Sequence, residues 1–348
     1  MNGKGGCFIS LFLLFAQILY AQDRDSTYYL RYTDKLCITF NEYGRSFNLP
    51  MDQKIFSDTF YSASSYTAEA KTGIGFTLDW DILGVAFGIY SFPGDEAHKG
   101  KTDYFNFSLS FGSAKYFLET SYRRYTGFYD ENSGNYVADF AQTGIYYQDP
   151  SLNTAVGQAR FIYVFQHKKF AIKSAYSSTY RQIKTSASWI GLANFYYKEF
   201  TSPNGIVPRP LSGLYGDYEN WSGLFVPGIS VGIGGSGNWV IGKKFLLNGT
   251  LAFALESQWR RYSFLDKPSF NGTYLSPVGD SRVAISYNTP RFLISAYSKT
   301  DFSFYNNHSI NLEARFISGE LDIGYRFNFK DPSFMPKVRK WWVYKIFD

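Results

Sequence analysis

The densest run of chemically capable side chains in this 348-residue sequence is Gly94-Asp95-Glu96-Ala97-His98-Lys99-Gly100-Lys101-Thr102. Its first half has the Asp-Glu-Ala-His lettering of a helicase box, and its end the Gly-Lys-Thr of a phosphate-binding loop. Such a loop keeps four residues between its glycines and opens a helix whose N-terminal N–H groups hold the phosphate. Here five residues separate Gly94 from Gly100, and a strand-like run, YFNFSLSF, follows at 104–111. The segment is therefore expected to be a polar loop without nucleotide chemistry.

Three histidines exist, His98, His167 and His308. His308 precedes Ser309 and lies near Asp301, which sketches a Ser-His-Asp hydrolase. Nucleophilic catalysis needs the base within hydrogen-bond reach of the hydroxyl and a third group orienting that base, and neighbours on one short loop point to opposite sides. The expectation is that these are loop histidines and that the chain is not an enzyme. No His or Asp cluster has metal-ligand spacing, no motif localises a carboxylate pair, and no cofactor is expected. Tyr129, Tyr136, Tyr146 and Tyr147 crowd one loop, where they would stack on a glycan or, as the plainer reading, stiffen the loop.

Charged residues scattered at alternating positions carry a different chemistry. Written as strands, the sequence turns Arg123, Arg160, Lys173, Arg282, Lys299, Arg315 and Arg326 to the same side as Glu119, Glu256, Glu313 and Asp322. A wet pore lined by seven basic and four acidic residues would favour anions. The same groups could instead pair and seal a narrow barrel, with Phe117, Ile162 and Leu293 filling space. Both readings stay open at this point.

The elements that would position these residues are β-strands. In 104–111 Phe105, Phe107, Leu109 and Phe111 alternate with Asn106, Ser108 and Ser110, a period of two. Between about 35 and 329 such segments recur, and six hairpins can be written so that apolar parity meets apolar parity. One sets Phe111 opposite Tyr116, Ser108 opposite Glu119 and Tyr104 opposite Arg123. A second turns at His167-Lys168, with Phe165 against Phe170 and Tyr163 against Ile172. The others set Phe76 against Phe87, Trp239 against Leu247, Ile285 against Ile294, and Phe316 against Leu321. In the last, Arg315 would face Asp322 and Glu313 would lie diagonal to Arg326.

Two further strands are read at 35–43 and 188–197, while 44–65, 127–153, 200–223 and 258–279 read as surface loops. Strand parity is strained. If 188–197 spans, the later tight turns fall on the wrong side. If it does not, the count is odd unless a strand is hidden in KWWVYKIF or in a long loop.

Phe, Tyr and Trp make up one residue in five, yet mean hydropathy is slightly negative, and after residue 21 no stretch approaches the roughly 20 apolar residues of a membrane-spanning helix. The first 21 residues read as a secretory signal peptide, an apolar run from about Cys7 to Leu19 ending before Gln22. Its removal leaves Cys37 as the one cysteine, without a disulfide framework. The formal charge of +6 includes Lys4 and so becomes +5 in the mature chain. Apart from the C-terminal KVRKWW it is scattered rather than clustered, so nucleic acid is not expected as a partner. Strands of about 10 residues, short turns alternating with long loops, and aromatic residues near strand ends (Trp80, Tyr122, Tyr163, Trp239, Tyr287) have the layout of a transmembrane barrel.

The fold class expected is all-β, a transmembrane antiparallel β-barrel of about 12 to 14 strands in the outer membrane. Residues 1–21 form the signal peptide, 22–34 a periplasmic segment, 35–329 the barrel and 330–348 a basic aromatic tail. Outer-membrane lipid and the barrel-assembly machinery are the implied partners.

The stretches YTDKLCITF, KGKTDYFNFSLSF, YRRYTGFY, YVFQHKKFAIKSAYSSTYRQIKTSASWIGLANFYY and GKKFLLNGTLAFALE, which span most of 28–260, resemble an outer-membrane barrel family common in Bacteroidota, domain of unknown function family 4421. The resemblance implies a barrel in the outer membrane and carries no activity or catalytic residue. Together these readings lead to the expectation of a passive channel or binding pore for small, anion-leaning solutes. A non-conducting structural or surface-interaction barrel is the alternative, and a lipid-modifying or proteolytic outer-membrane enzyme the third.

Overall fold

The computed structural model describes residues 25–54, 60–92, 94–307, 310–333, 335–341 and 344, so the expected signal peptide, His308 and Ser309 lie outside the described residues. The strands are β1 (Tyr29–Arg31), β2 (Lys35–Lys54), β3 (Phe60–Trp80), β4 (Leu83–Ser91), β5 (Asp103–Gly112), β6 (Tyr116–Asp130), β7 (Gln148–Val164), β8 (Tyr180–Gln182), β9 (Ser186–Thr201), β10 (Trp221–Ile241), β11 (Phe245–Phe264), β12 (Phe270–Asn288), β13 (Phe292–Phe304) and β14 (Ile310–Asn328). Twelve of them close into an antiparallel barrel in which β14 pairs with β2 and β7 with β9. Closure leaves no barrel edge unpaired, which is what a sheet needs where no water can satisfy its backbone.

Alternation explains the two faces. Along β11 Phe245, Leu247, Leu251, Phe253 and Leu255 point outward, while Asn248, Thr250, Glu256, Gln258 and Arg260 are buried inside. Phe253 is 65% exposed and Gln258 fully buried, the inverse of a soluble protein. Among the described residues, no helix is long and apolar enough to cross a membrane.

The short connections, 81–82, 113–115, 242–244 and 289–291, all fall on one side of the barrel, and 92–102, 131–147, 202–220 and 265–269 on the other. Gly94–Thr102, read as a polar loop, lies on the long-loop side and contains one short helix, Glu96–Lys99. Gly112 closes the 113–115 turn with φ +140°, where a Cβ would stand 2.2 Å from the Tyr116 carbonyl oxygen. The two-residue turn at Asp81-Ile82 puts Asp81 at φ 53° and buries its carboxylate. That carboxylate takes Arg31 Nη2 at 2.6 Å from the N-terminal segment, and Arg339 Nη2 at 3.5 Å and the Tyr344 hydroxyl from the C-terminal tail.

Of the six hairpins, Phe76–Phe87 and Trp239–Leu247 stand as written. Two keep their faces but slip by two residues. Phe111 pairs with Leu118, Ser110 with Glu119 and Asn106 with Arg123, because Gly112 still belongs to the ladder and tightens the turn. Likewise Ile285 pairs with Ala296.

The remaining two are not hairpins. Phe316 and Leu321 both lie on the continuous strand β14, since Ser318-Gly319 pairs straight through with Arg45-Gly44 of β2. At His167-Lys168 the chain leaves β7 and runs inward through 165–185 before returning as β9. Removing these two false turns resolves the parity, with 188–197 spanning within β9 and no strand at Trp341. Residues 44–54, 60–65, 258–264 and 270–279, read as loops, extend β2, β3, β11 and β12.

Candidate functional site

Among the described residues the lumen is where the structure brings many charged side chains together, and it is filled in three layers. On the short-turn side, residues 165–185 form a plug. Phe170, Ala171 and Ile172 are fully buried, and a helical turn at Lys173–Tyr176 packs against β11 and β12. Lys173, read as a strand residue, sits on this turn instead and donates Nζ to the carbonyls of Gly112 at 2.9 Å and Ile82 at 3.4 Å, the backbone of two short turns. Asp79 accepts from the Ser178 backbone N–H at 3.0 Å and hydroxyl at 2.7 Å. Arg326 donates Nε to the Ser178 carbonyl at 2.7 Å. β8 of the plug pairs with β1, so the N-terminal segment is part of the same layer.

The second layer is a band of ion pairs at the waist. Arg282 on β12 donates to both carboxylate oxygens of Glu119 on β6 at 2.8 and 2.7 Å, and its Nε to Asp280 at 2.9 Å. Arg160 on β7 reaches Asp280 at 2.5 Å, Asp301 on β13 at 3.0 Å and Asn194 at 3.0 Å. Lys299 and Arg123 stand 3.7 and 3.6 Å from Asp301, and the Arg123 guanidinium lies 3.7 Å over the Phe316 ring on β14. On the nearer arc of the ring, β9, β10 and β11 separate β7 from β12, and β12 is a further strand away from β6, so the contacts of Arg160 with Asp280 and of Arg282 with Glu119 cross the lumen. The forked Arg282–Glu119 geometry is the strong form of such a pair, and removing one partner of a buried pair costs about 3–5 kcal/mol.

The third layer caps the long-loop end. Ile206, Val207, Leu211, Tyr215 and Tyr218 of the loop 202–220 join Phe47, Tyr125, Phe200, Trp221 and Tyr262 in one apolar cluster. Phe47 stacks on Tyr125 and Phe200 with centroids 5.6 and 6.3 Å apart. In the loop 131–147 the Tyr136 hydroxyl donates to Asp130 at 2.9 Å; burial and that carboxylate hold the phenol well above its usual range. Among the described residues the interior keeps a cavity of about 60 Å³ between waist and cap and one of about 200 Å³ between waist and plug.

The residues read from sequence therefore separate. Glu119, Arg123, Arg160, Arg282 and Lys299 meet at the waist. Glu256 lies above it, 3.6 Å from Lys198, which also donates to Ser303 at 2.7 Å. Asp322 takes Asn41 at 2.6 Å and Ser295 at 3.1 Å rather than Arg315, and Arg326 serves the plug.

Glu313 and Arg315 are a correction. On the uninterrupted β14 they have opposite parity to Asp322 and Arg326, so they face outward and pair with each other at 3.0 Å. The reading missed Asp280, Asp301, Lys198, Arg260 and Asp79. Asp280 and Asp301 stand two positions from Arg282 and Lys299 on the same face, which was the available signal.

Elsewhere, His98 Nδ1 meets Asp95 Oδ1 at 2.8 Å on an exposed helical turn of the long-loop side, and His167 Nδ1 meets the Val164 carbonyl at 3.2 Å in the plug. Among the described residues no group of three or more His, Cys, Asp or Glu could hold a metal ion.

No curated protein matches the chain. Among solved structures it is similar to the outer membrane protease OmpT from Escherichia coli, at 8% identity over 86% of this chain and 98% of that one, with a TM-score of 0.39. It is also similar to the translocator domain of the autotransporter NalP from Neisseria meningitidis, at 10% identity over 84% and 88% with a TM-score of 0.33. The transport unit of the autotransporter AIDA-I from Escherichia coli gives 12% identity over 92% and 97% with a TM-score of 0.31. At these values none of the three bears on activity. The model of the domain of unknown function DUF4421 matches residues 23–327, nearly the whole barrel and its N-terminal segment, and the chain belongs to that family.

Proposed function

We propose that this protein is an outer-membrane β-barrel that does not conduct, a structural or surface-interaction barrel with its short turns toward the periplasm and its long loops outside. The apolar outer face supports the membrane setting, because outward Phe, Leu, Ile and Trp side chains in such number would be costly against water. The observation that carries the non-conducting reading is the cross-lumen pairing of Arg160 with Asp280 and Asp301 and of Arg282 with Glu119. A pore for small anions would need these pairs to part, the plug to leave and the apolar cap to open as well. Planar-bilayer recording of the refolded full barrel is the test: a flat trace at moderate voltage is expected, and reproducible unitary steps would overturn the reading.

A further inference from the structure

The outer face holds a groove that the sealed lumen does not use. Near the short-turn end Ala187 of β9, Gly237 of β10 and Gly249 of β11 lie side by side in the ladder, all at outward positions, with Gly235 next along β10. Trp189 and Trp239, 64% and 52% exposed, stand over this floor and leave a depression of about 620 Å³. Elsewhere on β10 and β11 the outward positions carry Val231, Ile233, Leu251 and Phe253, so the belt is interrupted here. The Trp239 ring leans over Gly237, where a Cβ would sit 3.2 Å from it, whereas a Cβ at Gly235 would meet nothing within 4 Å.

Below the groove lies a basic rim. Lys243 and Lys244 occupy the 242–244 turn, three residues or about 10 Å of strand from Trp239. The neighbouring connection brings Lys168, Lys169 and Lys184 to the same edge. Lys169 and Lys184 share the Tyr28 ring at 5.2 and 5.0 Å, the Arg181 guanidinium donates to the Lys243 carbonyl at 2.8 Å, and Thr185 accepts from the Val240 N–H at 3.0 Å. Residues 165–169, 181–185 and 242–244 contain no Asp or Glu; among the described residues Asp25 reaches this edge, toward Lys169 and Lys184.

We propose that this groove and rim bind an anionic phospholipid of the periplasmic leaflet, with an acyl chain between Trp189 and Trp239 and the phosphate on Lys243 and Lys244. This rests on the membrane reading above. Tryptophan is suited to the boundary between hydrocarbon and headgroup, and lysines beside it attract anionic lipid. A second copy docked by a two-fold axis would set this basic rim against itself, a like-charge juxtaposition that disfavours it.

The test is native mass spectrometry of the full barrel released from vesicles of mixed phosphatidylglycerol and phosphatidylcholine. Selective retention of phosphatidylglycerol is expected. Lys243→Gln with Lys244→Gln should reduce its preference over phosphatidylcholine by roughly 30-fold. Gly235→Leu, which fills open space, should reduce retention of both lipids. Equal adducts in wild type and all variants would overturn the proposal, as would a dimer peak in the wild type that Gly235→Leu abolishes. Heat-modifiable gel migration of each variant reports insertion separately, so failure of the membrane reading itself would be seen there.

Discussion

Arg282 and Glu119, which lie 163 residues apart, face each other through two parallel hydrogen bonds of 2.8 and 2.7 Å across the lumen. Glu119→Gln should therefore lower stability by about 3–5 kcal/mol, because it takes the forked cross-lumen carboxylate from a buried guanidinium and leaves it Asp280 on its own strand. The double variant Glu119→Leu with Arg282→Met should recover much of that loss. Urea midpoints for refolding into vesicles check both, and a single variant as stable as wild type would contradict the buried pairing.

Three layers fill the lumen, so removing one is not expected to open it. Replacing residues 168–183 by a short Gly-Ser linker should leave bilayer traces flat, provided gel migration shows a folded barrel. The same deletion combined with Arg160→Ala, Arg282→Ala and replacement of the cap residues 205–218 by a second Gly-Ser linker should give unitary steps. Steps from the deletion alone would place the whole seal in the plug.

Phe107 is 43% exposed on the outer face, while neighbouring Ser108 lines the cavity beneath the waist. Phe107→Arg should cost roughly 2–4 kcal/mol if it lies near mid-membrane. Ser108→Arg should be much milder, since its side chain enters a polar space. Equal costs in vesicle refolding would mean that the two faces are assigned the wrong way round.

Arg315 offers a contrast with Arg282. Its pair with Glu313 is half exposed on the outer face, so Arg315→Ala should change stability by at most about 1 kcal/mol. The same urea measurement applies, and a loss comparable with that of Glu119→Gln would mean that Arg315 is buried in the assembled barrel.

Alternation was the strongest signal in the sequence, and it carried the strands. Phe105 and Phe107 point outward as their spacing implies, and Trp239 pairs with Leu247 as written. Faces proved easier to read than register, because a slip of two residues leaves parity intact, as at Glu119.

Errors arose where two short apolar runs could be folded on each other. Phe165 and Phe170 look like hairpin partners, but the second run ends in Lys173-Ser174-Ala175-Tyr176, which has no period of two and forms a helical turn. The false turn at Ser318-Gly319 then reversed the apparent side of Glu313 and Arg315. The 202–220 loop was read by its Gly and Pro content, although Ile206, Val207, Leu211, Tyr215 and Tyr218 announced an apolar cap. Cross-lumen partners such as Asp301 for Arg160 join residues 141 apart, and no local pattern encodes that.

Asp81 has a consequence for the order of assembly. Its carboxylate gathers Arg31, Arg339 and Tyr344, so the first tight turn of the barrel waits for residues up to 263 positions later in the chain. Loop closure over such a span is slow and is rewarded only when the last pieces arrive. Until β14 has joined β2 and the tail has followed, Asp81 holds Arg31 without Arg339 and Tyr344, which makes it a latch that gains its full set of partners only after the barrel has closed.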